Sequence, residues 1–210
     1  MSSKPAAAPF QPLLLPELPG RARRNAAALP TGFFYQRDLI SAEEEAALIA
    51  EIAKLPLKNF QFHGYEGNRR VFSFGYRYDY TRRAVEPADA VPEFLEPVRE
   101  QVAAFAGREA GEFRQILASE YAHGAAIGWH RDKPEFGIVA GVSLAAPAVL
   151  RLRRRVGDRW ERVSQLVEPR SAYILSGEAR HDWEHSIVEQ AVLRYSLTFR
   201  MLANQHRDGA

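Results

Sequence analysis

The half of the sequence that follows Gly111 consists of short strand-like segments with no helical segment between them. These segments are rich in β-branched residues or alternate apolar with polar positions, and Gly, Pro or charged residues separate them. They are 113–121, 137–144, 147–155, 159–167, 170–175 and 193–202. Consecutive short strands joined by turns are typical of an antiparallel sandwich, a barrel or a jelly roll. We therefore predict one of these β architectures for the second half of the chain.

Two helices are predicted ahead of this β-rich half. Ser41 and Glu44 have the spacing of a capping box and an apolar stripe follows them, so residues 42–54 should form a helix. Residues 93–106 continue the helical pattern in a second segment, which Pro97 makes imperfect. Helices followed by a run of strands indicate a helix-backed β-sandwich. The predicted fold class is therefore α+β, mainly β.

The 210 residues fit one compact domain better than two. Residues 1–30 are rich in Pro and Ala and lack periodicity, so we predict a flexible or irregular extension followed by a single domain over 31–205. No apolar run reaches the roughly 18 residues of a membrane helix, and prolines interrupt the only apolar stretch near the start. We expect a cytoplasmic protein that does not contact the membrane. The near-balanced charge of +2 and the lack of a long heptad pattern favour a monomer.

The sequence contains no cysteine. This absence excludes disulfides, zinc fingers, iron–sulfur clusters and cysteine nucleophiles together. Any transition metal must therefore be bound by nitrogen and oxygen atoms.

Three residues have the chemistry of such a metal site. His130 and Asp132 are two positions apart, and on a strand both side chains would point to the same side. His185 lies far downstream in the β-rich half, and jelly-roll folds bring an early and a late strand side by side. Two histidines and one carboxylate form a facial triad, which leaves three neighbouring positions open on ferrous iron. A bidentate 2-oxo acid and dioxygen together would fill those positions.

The segment 194–200 alternates in a way that places Arg194 and Arg200 on one face of a strand and apolar residues on the other. An arginine that faces inward is costly unless an anion meets it. The same pattern would also fit the solvent face of an edge strand. Together with the upstream metal ligands, the binding of a carboxylate by Arg194 is the better interpretation.

The residues form an ordered set: Tyr121-x-x-Gly124, His130-x-Asp132, His185 and Arg194-x5-Arg200. Over residues 70–202, this set resembles the AlkB family of Fe(II)/2-oxoglutarate-dependent dioxygenases, and residues 130–144 resemble a bacterial subgroup of it. The resemblance implies a double-stranded β-helix (jelly roll) backed by N-terminal helices. It also implies an oxidoreductase that uses Fe(II), 2-oxoglutarate as co-substrate and O2.

The resemblance implies a role for each matching residue. His130, Asp132 and His185 would bind the iron and form the catalytic centre. Arg194 would form a salt bridge with the distal carboxylate of 2-oxoglutarate, supported by the hydroxyl of Tyr121.

Three further co-substrate contacts are implied in the same way. Arg200 would lie near the metal-chelating end of 2-oxoglutarate. The family usually has Asn at two positions where this chain has Ser119 and Ser196. Both serines keep a hydrogen-bonding group on a shorter side chain.

AlkB-like proteins are best known for the repair of alkylated bases. The resemblance therefore implies oxidative demethylation of N-alkylated bases in DNA or RNA, with release of CO2, succinate and formaldehyde. The charge of the chain permits such a polyanionic partner without demanding it.

An enzyme that acts on a base flips it out and stacks it on aromatic side chains near positive charge. Residues 69–80 alternate as a strand would, with Tyr76 and Tyr78 on one face, and Trp129 directly precedes the HxD motif. Repair members often carry an acidic residue two positions after the metal-binding aspartate; here that position is proline, and Glu135 comes next. We take these four side chains as candidate substrate contacts. The alternation would equally suit an ordinary packed sheet.

Two other functions stay open. The same oxygenase chemistry could act on a protein or a small molecule. The chain could also be a non-catalytic β-sandwich that only binds, but loss of catalysis normally erases a metal ligand or the arginine, and all are present.

Overall fold

The computed structural model describes residues 28–62 and 65–203, which form two facing antiparallel β-sheets with two helices behind the larger one. The strands of the first half are β1 (Phe33–Gln36), β2 (Lys58–Phe62), β3 (Tyr65–Phe74), β4 (Tyr76–Asp79) and β5 (Ala84–Pro87). Those of the second half are β6 (Phe113–Tyr121), β7 (Ile127–His130), β8 (Phe136–Leu144), β9 (Ala148–Val156), β10 (Arg159–Val167), β11 (Ala172–Leu175), β12 (Glu184–Ile187) and β13 (Arg194–Leu202). The helices are α1 (Ala42–Ile52), α2 (Glu96–Ala106) and the short α3 (Gly177–His181).

The larger sheet has the order β1-β11-β8-β13-β6-β3-β2, and the smaller sheet has the order β10-β9-β12-β7. The eight strands from β6 to β13 are divided equally between these sheets, and every pairing between them is antiparallel. This is the arrangement of a double-stranded β-helix, with two helices against one sheet. It confirms the predicted fold class.

Two apolar clusters hold the layers together. One lies between the helices and the larger sheet, where Leu48 and Val102 pack with Ile116 and Phe199. The other lies between the two sheets, where the smaller sheet contributes buried residues such as Leu150. Removal of this apolar surface from water is the main favourable contribution to folding of the sandwich. The space between the sheets is therefore closed by apolar side chains at one end, and the polar site occupies another part of it.

The helix prediction for 42–54 is confirmed. Ser41 accepts a hydrogen bond from the Glu44 amide at 3.1 Å, and the Glu44 carboxylate accepts one from the Ser41 amide at 2.7 Å. The second predicted helix begins with a 3-10 turn over Glu93–Leu95, and Pro97 lies in the first turn of α2, where a missing amide costs little.

The predicted strand over 69–80 is wrong in one respect, because it is two strands: β3 belongs to the larger sheet, and β4 pairs with β5 in a separate two-stranded sheet. The chain breaks at Gly75, whose φ of +72° favours glycine. A Cβ on Gly75 would lie 2.0 Å from the carbonyl oxygen of Arg114, so the close approach of the backbone also requires glycine.

Most of the predicted extension, residues 1–27, lies outside the described part of the chain, and residues 28–30 have no regular secondary structure. Within the described ranges, no helix has the length and apolar character needed to cross a bilayer.

Candidate metal and co-substrate site

The two histidines meet because β7 and β12 are paired. His130 is the last residue of β7, His185 lies on β12, and the two are direct cross-strand partners. Their ring centroids are 4.2 Å apart. Asp132 follows two residues after His130, and one ligand atom from each of the three residues falls within 4.8 Å of the others.

The expectation that His130 and Asp132 share a strand face is wrong. The strand ends at His130, and Asp132 lies in the irregular segment that follows. The carboxylate reaches the histidines because Arg200 on β13 holds it, with Nε and Nη2 donating to Oδ1 at 2.9 and 2.8 Å. The Asp132 carboxylate is therefore placed beside the histidines by a contact from the opposite sheet, and not by the two-residue repeat of a strand.

Burial and neighbouring charges set the protonation of these three groups. Burial lowers the pKa of His130, and burial with the neighbouring His130 lowers the pKa of His185 to about 3. Burial alone would raise the pKa of Asp132, but Arg200 and the two histidines outweigh it and hold the pKa below its usual range. At neutral pH the site therefore presents two neutral imidazoles and a carboxylate, the forms that bind a metal.

The donor atoms fit a divalent metal ion. Nδ1–H of His130 donates a hydrogen bond to the carbonyl oxygen of Gly128 at 2.9 Å, which leaves the lone pair of Nε2 free for a metal. Oδ2 of Asp132 is buried, has no hydrogen-bond partner among the described residues, and lies 3.6 Å from Nε2 of His185. A buried carboxylate oxygen without a donor is costly, and a cation between these atoms would remove that cost.

The second end of the site is the guanidinium of Arg194, which is only 2% exposed. Its Nε and Nη2 donate to Oγ of Ser143 at 3.2 and 3.1 Å, and the group lies 4.8 Å from the centre of the Tyr121 ring. Nη1 is buried without a partner, and no carboxylate pairs with this arginine among the described residues. A buried cation in that state requires an anion from outside the chain.

Tyr121 stands beside this cation on β6. Its hydroxyl lies 3.3 Å from Oγ of Ser196. Burial would raise the pKa of Tyr121, but the positive charges of Arg69 and Arg194 outweigh it and lower the pKa to about 8. The phenol therefore donates a hydrogen bond readily at neutral pH.

The predicted alternation along β13 agrees with the structure. The cavity is lined by Arg194, Ser196, Thr198 and Arg200, while Tyr195, Leu197 and Phe199 lie in the core. Ser119 lies on β6 directly opposite Ser196; its side chain is fully buried and its Oγ has no partner among the described residues.

Sequence reasoning did not single out Tyr173, which lines the cavity together with Arg69. Tyr173 lies on β11 opposite Gly141, and a Cβ on that glycine would be 2.4 to 2.6 Å from the end of the tyrosine ring. Gly141 therefore makes the space that the Tyr173 side chain occupies. The sequence of β11 alone could not predict that Tyr173 lines the cavity, because the space for its ring is created by a residue on another strand.

The four candidate substrate residues lie in different surroundings. Tyr78 packs edge-on against Tyr80 at 5.1 Å, and the ammonium of Lys133, next to Asp132, lies 5.1 Å from its ring centre. Tyr76 instead contacts the guanidinium of Arg114.

The remaining two candidates differ from each other in their surroundings. Trp129 lies on the outer face of the smaller sheet, beneath the guanidinium groups of Arg151 and Arg153. Glu135 has a buried Oε2 without a hydrogen-bond partner among the described residues. The structure thus brings Tyr78 near the metal-ligand segment and turns Trp129 away from it.

Comparison with known proteins agrees with this geometry. Residues 34–200 match the family model described as the 2OG-Fe(II) oxygenase superfamily. A curated relative from Arabidopsis thaliana, the "Alkylated DNA repair protein ALKBH8 homolog", is 25% identical over 82% of this chain and 59% of its own length. One from Mus musculus, "tRNA (carboxymethyluridine(34)-5-O)-methyltransferase ALKBH8", is 26% identical over 76% of this chain and 24% of its own. The chain thus spans about three fifths and one quarter of the lengths of these relatives.

Solved structures share the fold. The structure of OsALKBH1 has a TM-score of 0.62 and 15% identity, and the match covers 83% of this chain and all of that one. A prolyl-4-hydroxylase from Pseudomonas putida has a TM-score of 0.57 and 17% identity over 82% of this chain and 93% of its own.

Proposed function

Because this chain belongs to the 2OG-Fe(II) oxygenase superfamily, we propose that it oxidatively demethylates N-alkylated bases in DNA or RNA. The superfamily implies a dioxygenase that uses Fe(II), 2-oxoglutarate and O2, and the curated relatives support an AlkB-like member. The reaction would convert 2-oxoglutarate, O2 and the N-methyl base into succinate, CO2, formaldehyde and the free base nitrogen. One oxygen atom enters succinate and the other enters formaldehyde.

The proposal gives each site residue a task. His130, Asp132 and His185 would hold the iron, and the orphaned Oδ2 of Asp132 supports this. Bound iron, with 2-oxoglutarate and O2, supplies the oxidative chemistry. Arg194 would bind the distal carboxylate of the co-substrate, with Tyr121 donating its hydroxyl proton.

The remaining site residues orient these groups. Arg200 holds Asp132 and also donates to Oε1 of Gln115 at 3.0 Å, so the metal carboxylate is fixed from the larger sheet. Ser196 orients the Tyr121 hydroxyl, and its cross-strand partner Ser119 would offer a second hydroxyl, whose Oγ has no partner among the described residues.

The observation that carries the oxygenase assignment is the buried Arg194 with an unpartnered donor on the same cavity as the three metal-ligand residues. A cation site and an anion site in one cavity match the two ends of a metal-chelating dicarboxylate. A binding module without catalysis would have no need for either unpaired group.

A group of aromatic and basic residues supports a nucleic-acid substrate. Phe60 packs edge-on against Tyr80 at 5.8 Å, Tyr80 packs against Tyr78, and cations lie over these rings from Arg69 and Lys133. Aromatic faces beside positive charge are what a flipped base requires. We propose that Tyr78 contacts the base and that Tyr76 and Trp129 do not, since arginine side chains contact their rings. Glu135, whose buried Oε2 has no partner among the described residues, stays a candidate for a polar contact with the base.

The deciding experiment supplies anaerobically purified protein with Fe(II), 2-oxoglutarate and oligonucleotides that carry N-methylated bases. Succinate and the mass of each base are followed, with Asp132→Ala as the control that lacks a metal ligand. Demethylation that depends on Asp132 supports the proposal. Succinate formation without base conversion would contradict the proposed nucleic-acid substrate and favour a protein or a small molecule as the substrate.

The cytoplasmic location and the monomeric state stay predictions.

A further inference from the structure

The outer face of the smaller sheet, which points away from the cavity, carries a cluster that the proposed reaction does not use. Leu150 and Leu152 on β9 are buried in the core, so the residues between and after them turn outward. The cluster, which we call the arginine–tryptophan face, consists of Trp129, Arg151, Arg153, Arg155, Trp160 and Arg162. We propose that this face binds the phosphate backbone of a single-stranded stretch of nucleic acid.

The first support is the lack of charge compensation. Arg153 and Arg162 are direct cross-strand partners on the same face, and like charges in that position repel. Arg153 pairs with Glu184 at 2.6 Å, but Arg162 is exposed and has no carboxylate partner among the residues that the structure describes. An anion bound between the two strands would relieve this repulsion.

The other two arginines are also available to an anion. Arg151 donates to Oγ of Ser186 at 2.9 Å and has no carboxylate partner in the described ranges. Arg155 approaches Asp158 only at 3.6 Å, and both side chains are more than half exposed. Such an exposed pair contributes little and can be exchanged for a phosphate. The face therefore presents four guanidinium groups. Of the carboxylates on its strands, Glu184 pairs with Arg153, whereas Glu161 pairs with Arg154, which alternates away from this face.

The tryptophans hold these cations in place. The guanidinium carbon of Arg153 lies 4.2 Å from the ring centre of Trp160 and 4.4 Å from that of Trp129, while Arg151 lies 4.8 Å from Trp129. A guanidinium stacked flat on an indole keeps the N–H donors along its edge free. Because stacking already restricts the side chain, less conformational entropy is lost when a phosphate accepts two of those hydrogen bonds.

The arrangement suits a polymer better than a small anion. Arg151, Arg153 and Arg155 alternate along one strand, which spaces them by roughly 6.6 Å in a row. Beside this row lies a depression of about 580 Å³, whose lining includes four arginines, Trp160 and the carboxylates of Asp182 and Glu184. A row of cations beside a hollow with an indole in its wall matches a chain of repeated negative charges with bases attached.

The choice of nucleic acid over an acidic polypeptide rests on the proposed function. Since His130 and His185 face the opposite side of the same sheet, a backbone on the outer face leaves the cavity free. The face would then hold the polymer while one base enters the cavity.

The test measures binding of the full-length protein to a fluorescent, unmethylated 25-nucleotide single strand over a range of salt concentrations. Arg151→Gln with Arg162→Gln removes two charges without breaking an ion pair. The matched control, Lys58→Gln with Arg108→Gln, removes two exposed charges outside the face, and neither residue has an ion-pair partner among the residues that the structure describes. In Arg151→Lys with Arg162→Lys, the charges stay but the planar donors are lost.

We expect the glutamine pair on the face to weaken binding and to reduce the slope of log K against log salt by about 1.4, since each phosphate contact with a single strand contributes about 0.7. The lysine pair should keep the slope and still bind more weakly, and the control pair should match the wild type. Equal binding by both glutamine pairs overturns the inference. Labelled decaglutamate that binds as tightly as the oligonucleotide overturns it too, because the partner would then be an acidic polypeptide.

This binding requires neither iron nor a methylated base, so its outcome is separable from the proposed function. If demethylation fails while Arg151→Gln with Arg162→Gln still weakens binding, the proposed demethylation is wrong and the proposed binding by the arginine–tryptophan face is supported. If demethylation succeeds while all variants bind the oligonucleotide equally, the proposed binding by this face is wrong and the proposed demethylation is supported. Succinate formed without substrate should be unchanged in every variant, which verifies that the cavity is intact.

Discussion

At the scale of single residues, burial and neighbouring charge together set the chemistry of the cavity. Arg194 and Asp132 are both buried, and each keeps one polar atom without a partner among the described residues. Arg69 and Arg194 bring the pKa of Tyr121 to about 8, although burial by itself would raise that pKa. The site is therefore arranged for ligands that supply the missing charges.

The lowered pKa of Tyr121 predicts a pH dependence of co-substrate binding. The distal carboxylate of 2-oxoglutarate is anionic throughout, so only the tyrosine changes charge near pH 8. Above that pH, Tyr121 loses its donor proton and repels the carboxylate, and the affinity should fall towards a limit of about tenfold per pH unit. Titration calorimetry with Mn(II) in place of iron, from pH 7 to 9, measures this. Tyr121→Phe should bind more weakly at pH 7 and lose the dependence; a decline that persists in that variant would assign it to another group.

The contact between Gly141 and Tyr173 predicts a steric effect. In Gly141→Ala, the new Cβ would meet the end of the Tyr173 ring at 2.4 to 2.6 Å, so the ring must move within the cavity. We expect the KM for 2-oxoglutarate to rise and the free energy of unfolding to fall by about 1–3 kcal/mol, as for other overpacked cores. Urea unfolding and steady-state kinetics measure the two effects. The same glycine change in a Tyr173→Leu background should cost much less; an equal cost in both backgrounds would show that the ring is not the obstacle.

At the scale of elements, the segment between β7 and β8 depends on α3. Arg180 on α3 donates to the carbonyl oxygens of Lys133 and Phe136 at 2.7 Å and of Gly137 at 3.0 Å. This segment contains Asp132 and precedes β8. A short helix with one buried arginine thus holds the backbone that follows the metal carboxylate.

Arg180→Met keeps the apolar part of the side chain and removes the guanidinium donor to all three carbonyl oxygens, of which that of Lys133 keeps the amide of Phe136 at 3.0 Å. Each buried carbonyl without a donor costs about 1–3 kcal/mol, so we expect about 3 kcal/mol less stability, allowing for partial hydration. The affinity for Mn(II) should fall as well, because Asp132 is no longer held in place. Urea unfolding and a metal titration measure both, with the exposed Arg108→Met as control. An unchanged unfolding midpoint would mean that the three hydrogen bonds contribute nothing.

At the scale of the whole molecule, the two sheets contribute opposite ends of the site. The two histidines of the proposed metal site lie on β7 and β12 of the smaller sheet, whereas Arg194, Arg200 and Tyr121 lie on β13 and β6 of the larger one. A dicarboxylate bound at both ends would therefore link the two sheets.

This division predicts that metal and 2-oxoglutarate stabilise the fold cooperatively. Ligand at a hundred times its Kd contributes about 2.7 kcal/mol, which raises Tm by about 5–10 °C in a protein of this size. Mn(II) with 2-oxoglutarate should exceed the sum of the two separate increments in a calorimetric scan, because the chelating end needs the metal. Arg194→Gln should keep the Mn(II) increment and lose the one from 2-oxoglutarate. If the Tm increments from Mn(II) and 2-oxoglutarate are additive in both the wild type and Arg194→Gln, a ligand that links the two sheets is contradicted.

Local signals explain what could be predicted of the fold. The capping box of Ser41 and Glu44 depends on neighbours three residues apart, and the strands 113–121 and 159–167 have alternation long enough to set their ends. Strands β7 and β12 were not predicted, because four residues each carry too little periodicity. Their pairing nevertheless brings His130 and His185 together.

The sequence by itself determined the ligand types, the order of the motif residues and the alternation of β13, because these depend on residue chemistry and the period of a strand. Only the tertiary structure decided that Arg200 holds Asp132, that Tyr173 enters the cavity beside Gly141 and that Trp129 turns away from it. Each of these three depends on which strands pair and which sheet faces which. Contacts between residues far apart in the chain leave no periodic signal in a single sequence.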